Sequence, residues 1–298
     1  MNSQQLHSLL SSADRPALIH VLPPEIFAQQ RIADSLNACV FEVTFLTNVA
    51  ELVPDKSRRI IVYGAGNGSL DAKVAQEKLL EAGYLSVEML DGGLAEWKSA
   101  NLPLEGDPAV PLSPGADGHF AVDPALSVIR WTGRNLFNHH AGTLRLQSGT
   151  IQLQNGQLAD ARFVIDMESI ACEDIPDAAI NAVLISHLKN ADFFETSKYP
   201  TAAFLSQRAE PIAEASEGSP NFLLHGALSL RGITKEVAFP IVVAFSDENQ
   251  LTGQGMLDLD RTEFGSTYGS GRFFQFLGKH VVNDHVHLHL KIHARRSS

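Results

Sequence analysis

A chain of 298 residues with 44% hydrophobic and 19% charged side chains has the composition of a globular protein, and its length favours two cores over one. The formal charge of -11, with no basic block anywhere, argues against nucleic acid or an anionic membrane surface as a partner. Two cysteines, Cys39 and Cys172, are too few and too far apart for a disulfide framework.

The opening stretch MNSQQLHSLLSSADRPALIHVLPPE has no cationic n-region, and its apolar runs are too short for a signal sequence or a membrane span. A cytoplasmic start is therefore expected. Strand and helix signals then alternate: ALIHVL as strand, PEIFAQQRIA as helix, ACVFEV as strand, FLTNVAELV as helix, RRIIVYG as strand. A helix follows in SLDAKVAQEKLLEAGY, stopped by Gly83, then the strand LSVEML and the helix GLAEWKSA. Such alternation predicts a small parallel sheet with helices on both faces.

The loop between the third strand and its helix, Gly64, Ala65, Gly66, Asn67, Gly68 and Ser69, raises the first functional question. Gly64 and Gly66 match the first two glycines of a dinucleotide fingerprint, but Ser69 stands where the third belongs. The order of elements and the segment Gly92, Gly93 and Trp97 in LDGGLAEWKSANLPL instead resemble the rhodanese family over roughly residues 5 to 105. In active members the first loop residue is a cysteine whose thiolate carries sulfur, with the loop amides and helix N-terminus stabilising the charge. Here that position is Gly64, which has no side chain to carry anything. The family's Asp-x-Arg at the end of the first strand is also missing, since this chain has His20 and Leu22 there, and the loop contains no cation. Cys39 is the alternative thiol for a sulfurtransferase, but its apolar neighbours in ACVFEV suit a small buried hydrophobe. The expectation for residues 1–105 is a degenerate, inactive rhodanese-like domain with a structural or regulatory role.

From Leu104 the text LEGDPAVPLSPGADG loses all periodicity, and residues 106–118 read as a linker. Beyond it, in residues 119–298, the period becomes two. SVIRWTGRNL, GTLRLQSGTIQLQ, LADARFVIDMESI, TAAFLSQRA, FLLHGALSLRGI, KEVAFPIVVAF, GMLDLDRTEF and VHLHLKIHA read as strands of an antiparallel sheet. One helix interrupts them, with Ile180, Val183, Leu184 and Leu188 as its apolar stripe. The alternation names inward sets: Ala161, Phe163, Ile165 and Met167; Val237, Phe239, Ile241, Val243 and Phe245; Val286, Leu288, Leu290 and Ile292. In KEVAFPIVVAF both faces are apolar, so this strand is expected to be covered on both sides.

The segments SHLKNADFFETSKYPTAAF, HGALSLRGITKEVAFPIVV and LDRTEFGSTYG, taken in order, resemble the YceI-like family from about Phe120 to Ile292. The resemblance implies an eight-stranded lipocalin-like barrel holding an amphiphile of the isoprenoid, quinone or fatty-amide type, no obligatory cofactor, and a homodimer. The candidates to meet such a ligand are Phe163, Ile165, Phe193, Phe194, Phe204, Phe239, His187, Arg231 and Arg261. Phe273, Phe274 and Phe276 in YGSGRFFQFLG suit either a lid over a barrel mouth or a partner contact. Asp260 and Asp166 are the expected neutralising partners of the two arginines.

Ten of the twelve histidines follow the linker. His285, His287, His289 and His293 alternate with the apolar set and share one face, about 7 Å apart. An outer surface is the simpler account of them; a metal-dependent sensor is the alternative. His139, His140 and His187 would form a metal or head-group site only if the fold brought them together.

Overall fold

In the computed structural model, which describes residues 1–12, 15–107, 117–247 and 249–297, the alternating first hundred residues build a four-stranded parallel sheet. The strands β1 (Ala17–His20), β2 (Leu36–Asn37), β3 (Ile60–Tyr63) and β4 (Val87–Met89) lie in the order β2-β1-β3-β4. All residues of β1 and β3 are buried, as helices on both faces require. Ile19, Ile60 and Val62 turn toward α3 (Phe45–Leu52) and α4 (Asp71–Glu81), packing with Phe45, Val49 and Leu79. Leu18, Ile61 and Tyr63 turn the other way, toward Leu6 of α1 (Ser3–Leu10) and Leu94 and Trp97 of α5 (Gly93–Ser99). A short helix, α2 (Pro24–Gln29), follows β1. ACVFEV, residues 38–43, forms no strand; β2 lies just before it at Leu36–Asn37, the Glu42 N–H turns back to the Cys39 carbonyl, and α3 starts at Phe45. Helix α1 was not legible as an element; Asn2 caps it with a reciprocal hydrogen-bond pair to Gln5.

The chain divides into two compact units, residues 1–111 and 112–298. Most of the expected linker, residues 108–116, lies outside the described residues.

The second unit is a closed eight-stranded antiparallel barrel. Its strands are β6 (Val128–Arg134), β7 (His139–Gln154), β8 (Gln157–Cys172), β9 (Thr201–Pro211), β10 (Phe222–Leu230), β11 (Ile233–Asp247), β12 (Gln250–Asp260) and β13 (His285–Arg296). Neighbours in sequence pair throughout, and β13 closes the circle onto β6. Register shifts between β7 and β8 let these long strands bend around the barrel. A further short strand, β5 (Gly118–Val122), begins at the last residue of the expected linker and is not among the expected strands. It pairs with residues 150–153 of β7 and with residues 294–296 of β13, filling the same position as β6 but further along. Asp123 and Pro124 break the stave into these two pieces, and Phe120 on the first piece is wholly buried.

Helix α6 (Ala178–Lys189) is capped by Asp177, whose carboxylate accepts from the Ala179 and Ile180 amides. Its inward face differs from the expected stripe. Asn181 Nδ2 donates to the carbonyls of Cys172 and Ile175, which turns Leu184, Ile185 and Leu188 to the barrel and leaves Ile180 and Val183 exposed. The outer face of β11 is likewise exposed at Ala238, Pro240 and Ala244, so that strand is covered on one side only.

Candidate functional site

The barrel is hollow. Its inward side chains enclose a cavity of about 390 Å³ with an almost wholly apolar wall, within the size class of small-molecule pockets. Each inward set named by alternation lies on this wall except Phe245, which packs edge-on against Phe120 with ring centroids 6.1 Å apart. Room comes from β12, where the inward positions between Leu251 and Leu257 are Gly253 and Gly255. Phe239 and Ile241 press into the space beside Gly255, whereas a side chain on Gly253 would meet only Ile292, at 3.9 Å.

Polar groups gather at one end. Arg134, Asn135, Asn138 and His140 come from the β6–β7 connection, His187 from α6, and Tyr268 and Asn283 from the segment before β13. Backbone contacts join them: Asn283 N–H donates to the Arg134 carbonyl at 2.8 Å, and Asn135 bridges Val282. The opposite end, with Ile151, Leu158 and Leu251, is apolar. An elongated molecule with one polar terminus suits this division.

Of the residues expected to meet a ligand, Phe163, Ile165, Phe193, Phe194, Phe204, Phe239, His187 and Arg261 line the cavity. Phe273, Phe274 and Phe276 do not; they are exposed, Phe276 completely. Arg231 is also off the wall. Its guanidinium donates to the carbonyls of Gly265 and Ala191 and reaches Glu195 at 3.4 Å, tying the loop after α6 to the turn after β12. Arg261 reaches the wall while its charge is held elsewhere. Its nitrogens donate to the carbonyls of Asn283, Ser266, Tyr268 and Val282 at 2.5–3.2 Å, and Asp284 lies 4.0 Å away. Neither expected acidic partner is used: Asp260 pairs with Arg272 at 2.8 Å, and Asp166 accepts from the Glu168 amide.

The histidines separate into three settings. His187 lies edge-on to Phe193 and Tyr268 and faces Asp192 at 3.3 Å. His285 and His289 are exposed on the outer face of β13, His287 bonds Asp258, and His293 faces Thr252. His139 is exposed, and His140 Nδ1 lies 3.0 Å from Asp174. Of the three histidines considered together, His140 and His187 both line the polar end of the cavity, and His139 does not. Among the described residues the group that could hold a metal is His140, Cys172 and Asp174, with donor atoms all within 4.8 Å. Burial pushes the Asp174 carboxyl up, but the Ala141 amide, the Cys172 thiol and His140 outweigh it and hold it down at about 2. Burial also pushes the Cys172 thiol up. Cys172 and Asp174 escaped the sequence reading because their partner lies on the neighbouring strand, 32 or more positions away.

In the first unit the glycine loop keeps its surroundings. Gly93 packs so closely that a side chain there would come within 2.5 Å of the Gly64 carbonyl, and the Leu94 and Ala95 amides donate to Gly64 and Ala65. The space that a side chain at position 64 would occupy is taken by Asp71: a β-carbon on Gly64 would lie 2.1 Å from Asp71 Oδ1. That carboxylate is buried, and it accepts from the Ala65 amide at 3.1 Å, the Ser69 hydroxyl at 2.7 Å and the Ala72 amide at 2.6 Å. An internal anion therefore holds loop donors that an incoming anion would need. Cys39 is buried at 5% exposure. His20 is fully buried between Phe27 and Tyr63, and among the described residues neither ring nitrogen has a hydrogen-bond partner.

Residues 120–294 match the YceI-like domain and residues 2–100 the Rhodanese-like domain. Similar solved structures include BcnA from Burkholderia cenocepacia, 22% identical, with a TM-score of 0.46 and coverage of 58% of this chain and 98% of that one. A polyisoprenoid binding domain from Saccharophagus degradans implicated in plant cell wall breakdown is 14% identical, with a TM-score of 0.43, covering 61% and 100%. Thiosulfate sulfurtransferase from Pseudomonas aeruginosa is 31% identical over 36% of this chain and 20% of its own, with a TM-score of 0.32. No curated protein matches the chain.

Proposed function

This chain belongs to the YceI-like domain family, and on that premise we propose that its barrel binds or carries a long-chain amphiphile of the isoprenoid, quinone or fatty-amide type. The observation that carries this reading is the cavity of about 390 Å³, apolar along its length and polar at one end. Each methylene of a tail moved from water onto that wall contributes about 0.8 kcal/mol. The polar terminus would sit among Asn135, Asn138, His140 and His187.

The rhodanese-like unit takes a structural or regulatory role in this proposal. Gly64 offers no nucleophile, Asp71 fills the space beside it, and Cys39 is buried. Native mass spectrometry of the purified full chain, paired with organic extraction, tests the whole assignment. A bound or exchangeable apolar molecule is expected; repeated recovery of protein that neither contains nor takes up one would leave a barrel with no cargo. Cyanide-dependent turnover of thiosulfate that disappears in Cys39→Ala would instead favour the sulfurtransferase reading.

A further inference from the structure

The start of β7 and the end of β8 bring a soft donor set together. Gly142 pairs with Cys172 across the ladder, and the Glu173 amide donates to the Ala141 carbonyl. His140 and the Cys172–Asp174 segment are therefore opposite one another by register. His140 Nδ1 lies 3.0 Å from Asp174 Oδ2, and Cys172 Sγ lies 3.2 Å from Asp174 Oδ1. The three donor atoms fall within 4.8 Å of one another.

The backbone around them is held on several sides. The Ala141 amide donates to Asp174 Oδ1 at 2.8 Å, Asn181 of α6 donates to the Cys172 carbonyl at 2.9 Å, and Trp131 Nε1 donates to the Ala171 carbonyl at 3.2 Å. Arg130 takes up the neighbouring Glu173 at 2.8 Å, so among the described residues no cation is paired with Asp174 apart from His140 itself. A tetrahedral zinc ion with nitrogen, sulfur and oxygen ligands needs donor separations of about 3.3–3.6 Å, given bonds of about 2.0–2.3 Å. The His140–Asp174 and Cys172–Asp174 contacts, at 3.0 and 3.2 Å, lie just below that range.

We propose that His140, Cys172 and Asp174 form a binding site for a soft divalent cation of the zinc type. On binding, the Cys172 thiol gives its proton to solvent and its thiolate becomes a ligand, together with the neutral His140 imidazole and the Asp174 carboxylate. Three protein donors leave a fourth position for water or an anionic oxygen. His140 is also part of the cavity wall, so the ion stands beside the polar end of the cavity. Where the amphiphile reading holds, that fourth position suits an acidic head group; the cation site itself does not depend on it.

The test uses tag-free full chain, stripped with chelator and delipidated, kept reduced and titrated with cobalt(II) and then zinc. One equivalent of cobalt is expected, with a thiolate-to-metal charge-transfer band that zinc abolishes. Cys172→Ser removes the band, and Asp174→Asn weakens binding at least about tenfold. The double variant His285→Ala/His289→Ala leaves both band and affinity unchanged. Circular dichroism and melting without metal establish that each variant is folded. Absence of stoichiometric binding, or a band that survives Cys172→Ser and is lost in Cys39→Ser, overturns the site. Extraction of lipid leaves this outcome unaltered, which separates failure of the cation site from failure of the cargo.

Discussion

At the scale of single residues, Gly64 and Asp71 explain each other. A methyl group at 64 collides with the Asp71 carboxylate, which cannot retreat without abandoning its hydrogen bonds to Ala65 and Ser69. Gly64→Ala should therefore cost about 1–3 kcal/mol in the parent chain and much less in an Asp71→Ala background, where the carboxylate is gone. Denaturant melts of the four proteins in this cycle measure the coupling; equal effects of Gly64→Ala in both backgrounds would refute the collision. Restoring a thiol with Gly64→Cys places it against an anion and should not create thiosulfate turnover. That Gly64 offers no nucleophile is legible in the sequence, whereas the carboxylate packed against it is not: Asp71 reads as an ordinary acidic residue in a first helical turn. His20 provides a second residue-scale outcome. Burial lowers its pKa from 6.5 to about 4, against weaker opposing pulls from the Leu22 backbone and Asp71. The unfolded chain therefore binds a proton between pH 6.5 and 4 that the folded chain refuses. The stability from the neutral ring is complete above that window and lost as pH falls through it, by about 3 kcal/mol in all. Replacing the ring by His20→Leu should flatten the dependence, and an unchanged slope between about pH 7 and pH 4 would assign it to other groups.

At the scale of elements, period-two patterning named eight strands and the inward faces of three of them, because a one-residue slip would turn an entire apolar set outward. Three failures have physical causes. Strand β5 is five residues beside a Pro- and Gly-rich run, and only its pairing with β7 and β13 makes it a strand. The stripe of α6 is set by the Asn181 anchor, which a hydrophobicity pattern does not register. Phe273, Phe274 and Phe276 stand in a segment without period, so nothing in the sequence fixed which way they face. The importance of β5 can be measured: Phe120→Ala removes a wholly buried ring from it and should cost about 3–5 kcal/mol. A loss below about 1 kcal/mol would mean that β5 is a loose flank. Strand β12 offers the complementary experiment. Gly253 faces open space, so Gly253→Leu should fill the cavity, lowering the amount of co-purifying or exchangeable apolar ligand with little change in melting temperature. Undiminished uptake by a folded variant would show that cargo does not enter this part of the barrel.

At the scale of the whole molecule, each unit has cores of its own: the barrel core draws on residues 120–294, and the two cores of the parallel-sheet unit on residues 6–97. The sequence reading divides the chain where the period of apolar residues changes from helical to two. Its boundary, however, lacks an anchor. Asp117 accepts from the Gly156 amide at 3.0 Å and its carbonyl accepts from Arg296 at 2.7 Å, fastening the start of β5 to the β7–β8 turn and to β13. A barrel fragment should therefore begin at Asp117 and not after it. Expressed alone, residues 117–298 should fold cooperatively and hold the same apolar molecule as the full chain. A fragment starting at Ala125 should lose stability, since residues 150–153 and 294–296 would be left without their strand partner. Parallel calorimetry and extraction on both fragments and the full chain compare these outcomes. If the longer fragment were folded yet empty while the full chain carried cargo, the rhodanese-like unit would be part of ligand capture, and its glycine loop would need a role in the barrel's loading.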